Sequence, residues 1–180
     1  MKKVAVILAE GFEEIEAMSI LDILKRGGVE ALAVGLEDTQ IKGAHGLVFL
    51  ADVIFESVNF ANIDMIVLPG GLPGSEYLAK SAKLQAKLKQ LKSANKKIAA
   101  ICAAPWALAT AGVLGESYTC YPGFEAKVAH SGYTDTQNVI IDGNIITSKG
   151  PATAMEFALV LLKELEGEDK FKQIKAGLLA

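Results

Sequence analysis

The chain reads as an α/β sandwich built on a largely parallel sheet, and three observations carry that expectation. Short, almost uniformly apolar runs recur along it: Val4-Ala5-Val6-Ile7-Leu8, Asp64-Met65-Ile66-Val67-Leu68 and Ile98-Ala99-Ala100-Ile101. Strands covered on both faces by helices have this composition, whereas strands with one wet face alternate. Helix-length segments lie between the runs, and the ends of the runs carry turn-forming residues such as Gly11 and Pro69-Gly70-Gly71-Leu72-Pro73-Gly74.

In order, the Val4–Leu8 strand leads through the Gly11 loop to a helix from about Glu13 to Arg26, stopped by Gly27-Gly28. Residues Glu30 to Gly35 supply a second strand, and His45 to Ala51 an edge strand or antiparallel excursion. After the Asp64–Leu68 strand, a lysine-rich amphipathic helix runs from about Ser81 to Ala94. The Ile98–Ile101 run is too short and too uniformly apolar for an amphipathic helix and reads as a central strand. Pro105 then suits the first turn of a helix continuing through Trp106 to Ala111, because its missing N–H costs nothing there. Val139 to Ile146 reads as a hairpin turning at Asp142-Gly143-Asn144, followed by helices from about Ala152 to Leu165 and Asp169 to Leu178. No repeat, low-complexity tract or linker breaks the chain, so residues 1–180 are expected to form a single domain with a substantial core.

The composition, 51% hydrophobic and 22% charged with mean hydropathy +0.33, suits a compact protein with apolar surface to spare for a subunit contact. A net charge of -3 and a pI near 5.5, with no basic tract, argue against a sequence-specific nucleic-acid surface or an anionic membrane surface. Val4–Ala9 is too short for a signal segment, and no apolar stretch approaches the ~20 residues of a membrane span. A cytoplasmic location follows as the expectation. The two cysteines, Cys102 and Cys120, are then expected to be free thiols.

Cys102 falls between the third apolar run and the Pro105 helix, in a tight strand-to-helix turn where Ala103 and Ala104 allow close backbone approach. Free N–H groups and the positive helix end would stabilise a thiolate there and could hold a developing oxyanion, as in a nucleophile elbow. Buried cysteine also serves commonly as a small hydrophobe, and the local sequence leaves both readings open. Ligands bind outside the carboxyl ends of such strands. Gly71, after the Leu68 run, is a candidate second oxyanion donor, although a tight turn alone explains its glycine equally well. On a helix, Glu16 shares a face with Ile20, Ile23 and Leu24, so it points along the apolar side, while Glu13 and Glu14 read as surface acids at the helix start. Burial and a neighbouring thiolate would raise the Glu16 pKa and make it a candidate proton donor to Cys102; a boundary glutamate reaching solvent is the alternative. The only histidines are His45 and His130, neither compelled toward Cys102, and no zinc spacing or Cys-x-x-Cys pair exists. A conventional Cys-His protease is therefore disfavoured and no cofactor is expected.

Together these segments resemble the ThiJ/PfpI superfamily, in its Parkinson-protein (DJ-one, YajL-like) branch. The likeness rests on Val6-Ile7-Leu8-Ala9 with Glu13-Glu14-Ile15-Glu16, on Val67-Leu68-Pro69-Gly70-Gly71, on Ala99-Ala100-Ile101-Cys102-Ala103-Ala104-Pro105 and on Thr147-Ser148-Lys149-Gly150-Pro151-Ala152-Thr153. The resemblance implies a flavodoxin-like three-layer sandwich with a mostly parallel central sheet, a homodimer, and a strained, oxidation-prone cysteine. It places Cys102 as nucleophile, Glu16 as the carboxylic acid bonded to it, and Gly71 and Ala103 as backbone donors. Tyr121 stands where animal members carry a histidine, which leaves Glu16 as the main proton carrier; His45 and Lys149 stand where those members place arginines near the pocket. The activity implied is a glutathione-independent glyoxalase or deglycase acting on a small carbonyl substrate, with redox sensing or chaperoning as the alternative.

Overall fold

The computed structural model describes all of residues 1–180. Seven strands form one sheet: β1 (Lys3–Leu8), β2 (Glu30–Gly35), β5 (Val53–Ile54), β6 (Met65–Leu68), β7 (Lys97–Ile101), β8 (Val139–Asp142) and β9 (Ile145–Ser148). Their order across the sheet is β5-β2-β1-β6-β7-β9-β8, and every neighbouring pair is parallel except β8 with β9. The short strands β3 (Gln40–Lys42) and β4 (Val48–Leu50) make a separate antiparallel ribbon.

Helices cover both faces, as the apolar runs require. Alternate residues of each strand point to opposite sides, so Val4, Val6, Met65, Val67, Ala99 and Ile101 meet one set of helices. That layer is α1 (Glu14–Arg26), α6 (Ala154–Glu166) and α7 (Glu168–Gly177). Ala5, Ile7, Ile66, Leu68, Ile98 and Ala100 pack on the other side against α2 (Gly74–Lys80), α3 (Ala82–Ser93) and α4 (Pro105–Thr110). The result is a three-layer, flavodoxin-like α/β sandwich, as the sequence predicts. No helix is long and apolar enough to cross a membrane.

Local chemistry explains the element ends. The Glu13 carboxylate accepts the Glu16 N–H at 2.7 Å and caps α1; Ser81 accepts the Leu84 N–H and caps α3. Three features depart from expectation. The excursion forms a ribbon in which β4 begins only at Val48, and His45 sits in its turn rather than on a strand. α2 follows directly from the Pro73-Gly74 turn, and a four-residue helix, α5 (Glu125–Val128), precedes the hairpin. Neither short helix has enough residues to display an apolar period.

Candidate active site

β7 ends at Ile101, and the chain must turn at once into α4. It does so through Cys102, a non-glycine residue in the left-handed region with φ 65°. Such a backbone costs free energy and persists only where its surroundings fix it. Here the Cys102 N–H donates to the Ser148 carbonyl at the end of β9 (3.0 Å), and the Cys102 carbonyl accepts from the Tyr121 N–H (2.9 Å). The Ser148 hydroxyl in turn bonds the Asn138 carbonyl and the Thr153 hydroxyl. The Thr147–Thr153 segment thus anchors the cysteine's backbone.

The β6 end meets the same point from the adjacent strand. Gly70 touches Cys102 so closely that a Cβ there would lie 2.5 Å from the Cys102 Cβ and 2.9 Å from Glu16 Oε2. Its N–H donates to Glu16 Oε2 at 2.7 Å, and its carbonyl accepts the Glu13 N–H at 2.9 Å. Gly71 has φ 93°, a conformation that glycine adopts without strain, and its N–H turns to the Cys102 sulfur alongside that of Ala103. Sequence reasoning missed Gly70 as the donor that orients Glu16. The Gly70-Gly71 pair was its signal: one glycine for close approach, the next for the turn.

Glu16 is fully buried on the apolar face of α1, with Ile20, Ile23 and Leu24 buried below it. Oε2 is held by Gly70, whereas Oε1 is buried without a hydrogen-bond partner. Burial pushes the carboxyl up from an ordinary 4.5 to about 7, against the pull of the Gly70 N–H and the Cys102 side chain. Oε1 is therefore the oxygen free to carry a proton. The thiol is also raised, first by burial, then by the Glu16 charge and the hydrogen bond between them; the Gly71 and Ala103 amides oppose this. That corrects the expectation of a thiolate stabilised by a helix end. The two acids behave as one unit: a buried site tolerates one negative charge on the pair and resists a second.

A cavity of about 510 Å³ opens over Cys102, with Glu13, His45, Gly71, Ala103 and Tyr121 among its lining. His45 and Tyr121 therefore reach the site. Lys149 does not line it; its ammonium donates to the Asp135 carbonyl. Glu13 and Glu14 are buried rather than surface acids. The turn between β3 and β4 folds over them, with the His45 N–H and Nδ1 bonding the two Glu14 oxygens at 2.7 and 2.8 Å. Burial would raise the Glu14 pKa, but these bonds win and hold it below its ordinary value, while the His45 imidazole is raised by Glu14. His130 stands apart, packed edge-on against Tyr118. Cys120 is free and buried, and burial with the Glu125 charge pushes its thiol up to about 12.

The DJ-1/PfpI family matches residues 2–164. Protein dj-1beta of Drosophila melanogaster is 40% identical over 99% of this chain and 97% of its own length, and its crystal structure superposes with a TM-score of 0.96 over 99% of this chain and 98% of that one. The glutathione-independent glyoxalase DJR-1.2 of Caenorhabditis elegans is 38% identical over 94% of this chain and 92% of its own. Protein DJ-1 homolog B of Arabidopsis thaliana is 37% identical over 99% of this chain, which spans 41% of that longer protein. The likeness runs through every segment that builds the site, from the Glu16 helix to the Ser148 anchor, and the chain belongs to the DJ-1/PfpI family.

Proposed function

We propose that this protein is a cysteine-dependent, cofactor-free glyoxalase or deglycase acting on 2-oxoaldehydes such as methylglyoxal, or on their adducts, in defence against carbonyl and oxidative stress. The observation that carries the reading is a fully buried carboxyl, raised by burial to about 7, set beside the Cys102 thiol beneath an open cavity. The name of the Caenorhabditis elegans relative supports the same class of reaction.

Moving the thiol proton to Glu16 leaves a thiolate faced by the Gly71 and Ala103 amides. The sulfur adds to the aldehyde carbon, and those amides meet the oxyanion that forms beside it. Glu16 gives the thiol proton to that oxyanion, which completes the hemithioacetal and restores the carboxylate. The carboxylate takes the proton from the same carbon and delivers it to the adjacent one, while the hydroxyl proton passes from the first oxygen to the second, so the first carbon is oxidised as the second is reduced. The resulting thioester is hydrolysed by water, which releases the 2-hydroxy acid and restores the thiol. No external oxidant or metal enters the balance.

Purified protein is expected to convert methylglyoxal to lactate, and Cys102→Ala to abolish the conversion; equal turnover by Cys102→Ala contradicts the reading. The second reading is redox sensing, because the two amides and Glu16 could bond the oxygens of a Cys102 sulfinate formed by peroxide. Mass spectrometry after mild peroxide, showing oxidation at Cys102 but not Cys120 without aldehyde turnover, would favour it. We also propose a homodimer and a reducing, cytoplasmic setting for the two free thiols.

A further inference from the structure

The cavity over Cys102 does not end at the reactive centre. Leu72, Gly123 and Phe124 line it and also line a second cavity of about 490 Å³, so the two lie side by side. The second part is completed by Trp106 and Ala126, with Glu76 and Lys127 at its charged rim. Trp106 lies four residues beyond Cys102, in the first turn of α4. Its ring packs 6.4 Å from Phe124 at 54°, and the Lys127 ammonium sits 4.6 Å from its centroid. Leu72, in the same lining, is half exposed, an apolar surface that nothing in the chain covers. Cavities of about 300–1,000 Å³ suit ligands much larger than a three-carbon aldehyde. Methylglyoxal bound at Cys102 would leave the Leu72–Trp106 part filled with water.

We propose that this second cavity is a subsite for an aromatic substituent, and that the preferred substrates are aryl 2-oxoaldehydes whose carbonyl carbons sit over Cys102 while the ring lies against Trp106, Phe124 and Leu72. The inference rests on the reaction class proposed above. The aromatic rings of Trp106 and Phe124 make up the larger part of the apolar lining, which favours a ring as the occupant. Ring-on-ring contact with Trp106 supplies the discrimination, since an edge or offset packing of aromatic groups is favourable beyond the area it buries.

Trp106 is the only tryptophan in the chain, so its emission reports occupancy of the subsite directly. Mandelate, the 2-hydroxy acid expected from phenylglyoxal, should change that emission saturably, and lactate should not. Ala126→Phe fills the subsite from an exposed helix position and should weaken the mandelate response about tenfold. In turnover, the ratio of kcat/KM for phenylglyoxal to that for methylglyoxal should fall about tenfold in Trp106→Ala and in Ala126→Phe. An unresponsive Trp106, or an equal loss on both aldehydes, overturns the subsite. A saturable mandelate response with no aldehyde turnover by the wild type leaves the subsite standing and removes the proposed chemistry instead.

Discussion

At the scale of single residues, the site is a conflict between Cys102 and its surroundings that the surroundings win. The cysteine adopts φ 65°, where an L-residue loses about 1–2 kcal/mol relative to the right-handed region. Cys102→Gly should therefore be more stable than Cys102→Ala by about 1 kcal/mol in denaturant melts, the reverse of their usual order; equal stabilities would show the turn is unstrained. Glu16 is strained electrostatically. Its pKa is raised from 4.5 to about 7 by burial, so the folded state holds its proton more tightly than the unfolded chain does. The associated stability is fully present below about pH 4.5 and is lost as pH rises through 7, a change of about 3 kcal/mol. Glu16→Gln should remove that slope, giving a variant that gains on the wild type between pH 4.5 and 7. Parallel stability curves for the two proteins would show that the carboxyl is not buried as a proton-binding group.

At the scale of elements, four strand and helix ends converge on one sulfur. Gly70 is the narrowest point among them: Gly70→Ala drives a methyl group into Cys102 and Glu16 and is expected to lower Cys102 alkylation at least tenfold while the protein still folds. Unchanged alkylation would contradict the close approach. The β3–β4 turn is held by His45, whose imidazole is raised above 6.5 by Glu14 and carries charge below that raised value. Hydrogen exchange of the Gly43–Leu47 amides should accelerate as pH rises through the His45 titration, beyond the intrinsic pH effect, and His45→Ala should be fast throughout. Strands β1, β6 and β7 were legible because burial on both faces leaves apolar runs, and the Glu16 face because helix periodicity puts it beside Ile20 and Ile23. The burial of Glu13 and Glu14 was not, because it comes from a turn 31 residues away in sequence. Nor was the distance of Lys149 from the cavity, which depends on how the loop after β9 turns toward Asp135. The raised thiol was missed for a related reason: a helix start can be read from Pro105, but the depth of Cys102 beside Glu16 belongs to the packed sheet.

At the scale of the whole molecule, the fold leaves Ile15 on α1 and Leu47, Val48 and Leu50 around the β3–β4 ribbon exposed, and the Glu14–His45 bonds join these two elements. A second copy of the chain is the partner we propose for this surface. Sedimentation should give a dimer for the wild type and a monomer for the Val48→Asp/Leu50→Asp variant, and a monomeric wild type would contradict it. The same global architecture creates the central claim, because only the packing of α1 across the sheet brings Glu16 to a cysteine 86 positions later in sequence. If the two share one charge, the alkylation rate of Cys102 measured against pH should rise with a midpoint near 7 and then level off, and Glu16→Gln should abolish that step. A single wild-type midpoint near the free-thiol value of about 8.5, unmoved by Glu16→Gln, would show that Cys102 titrates alone.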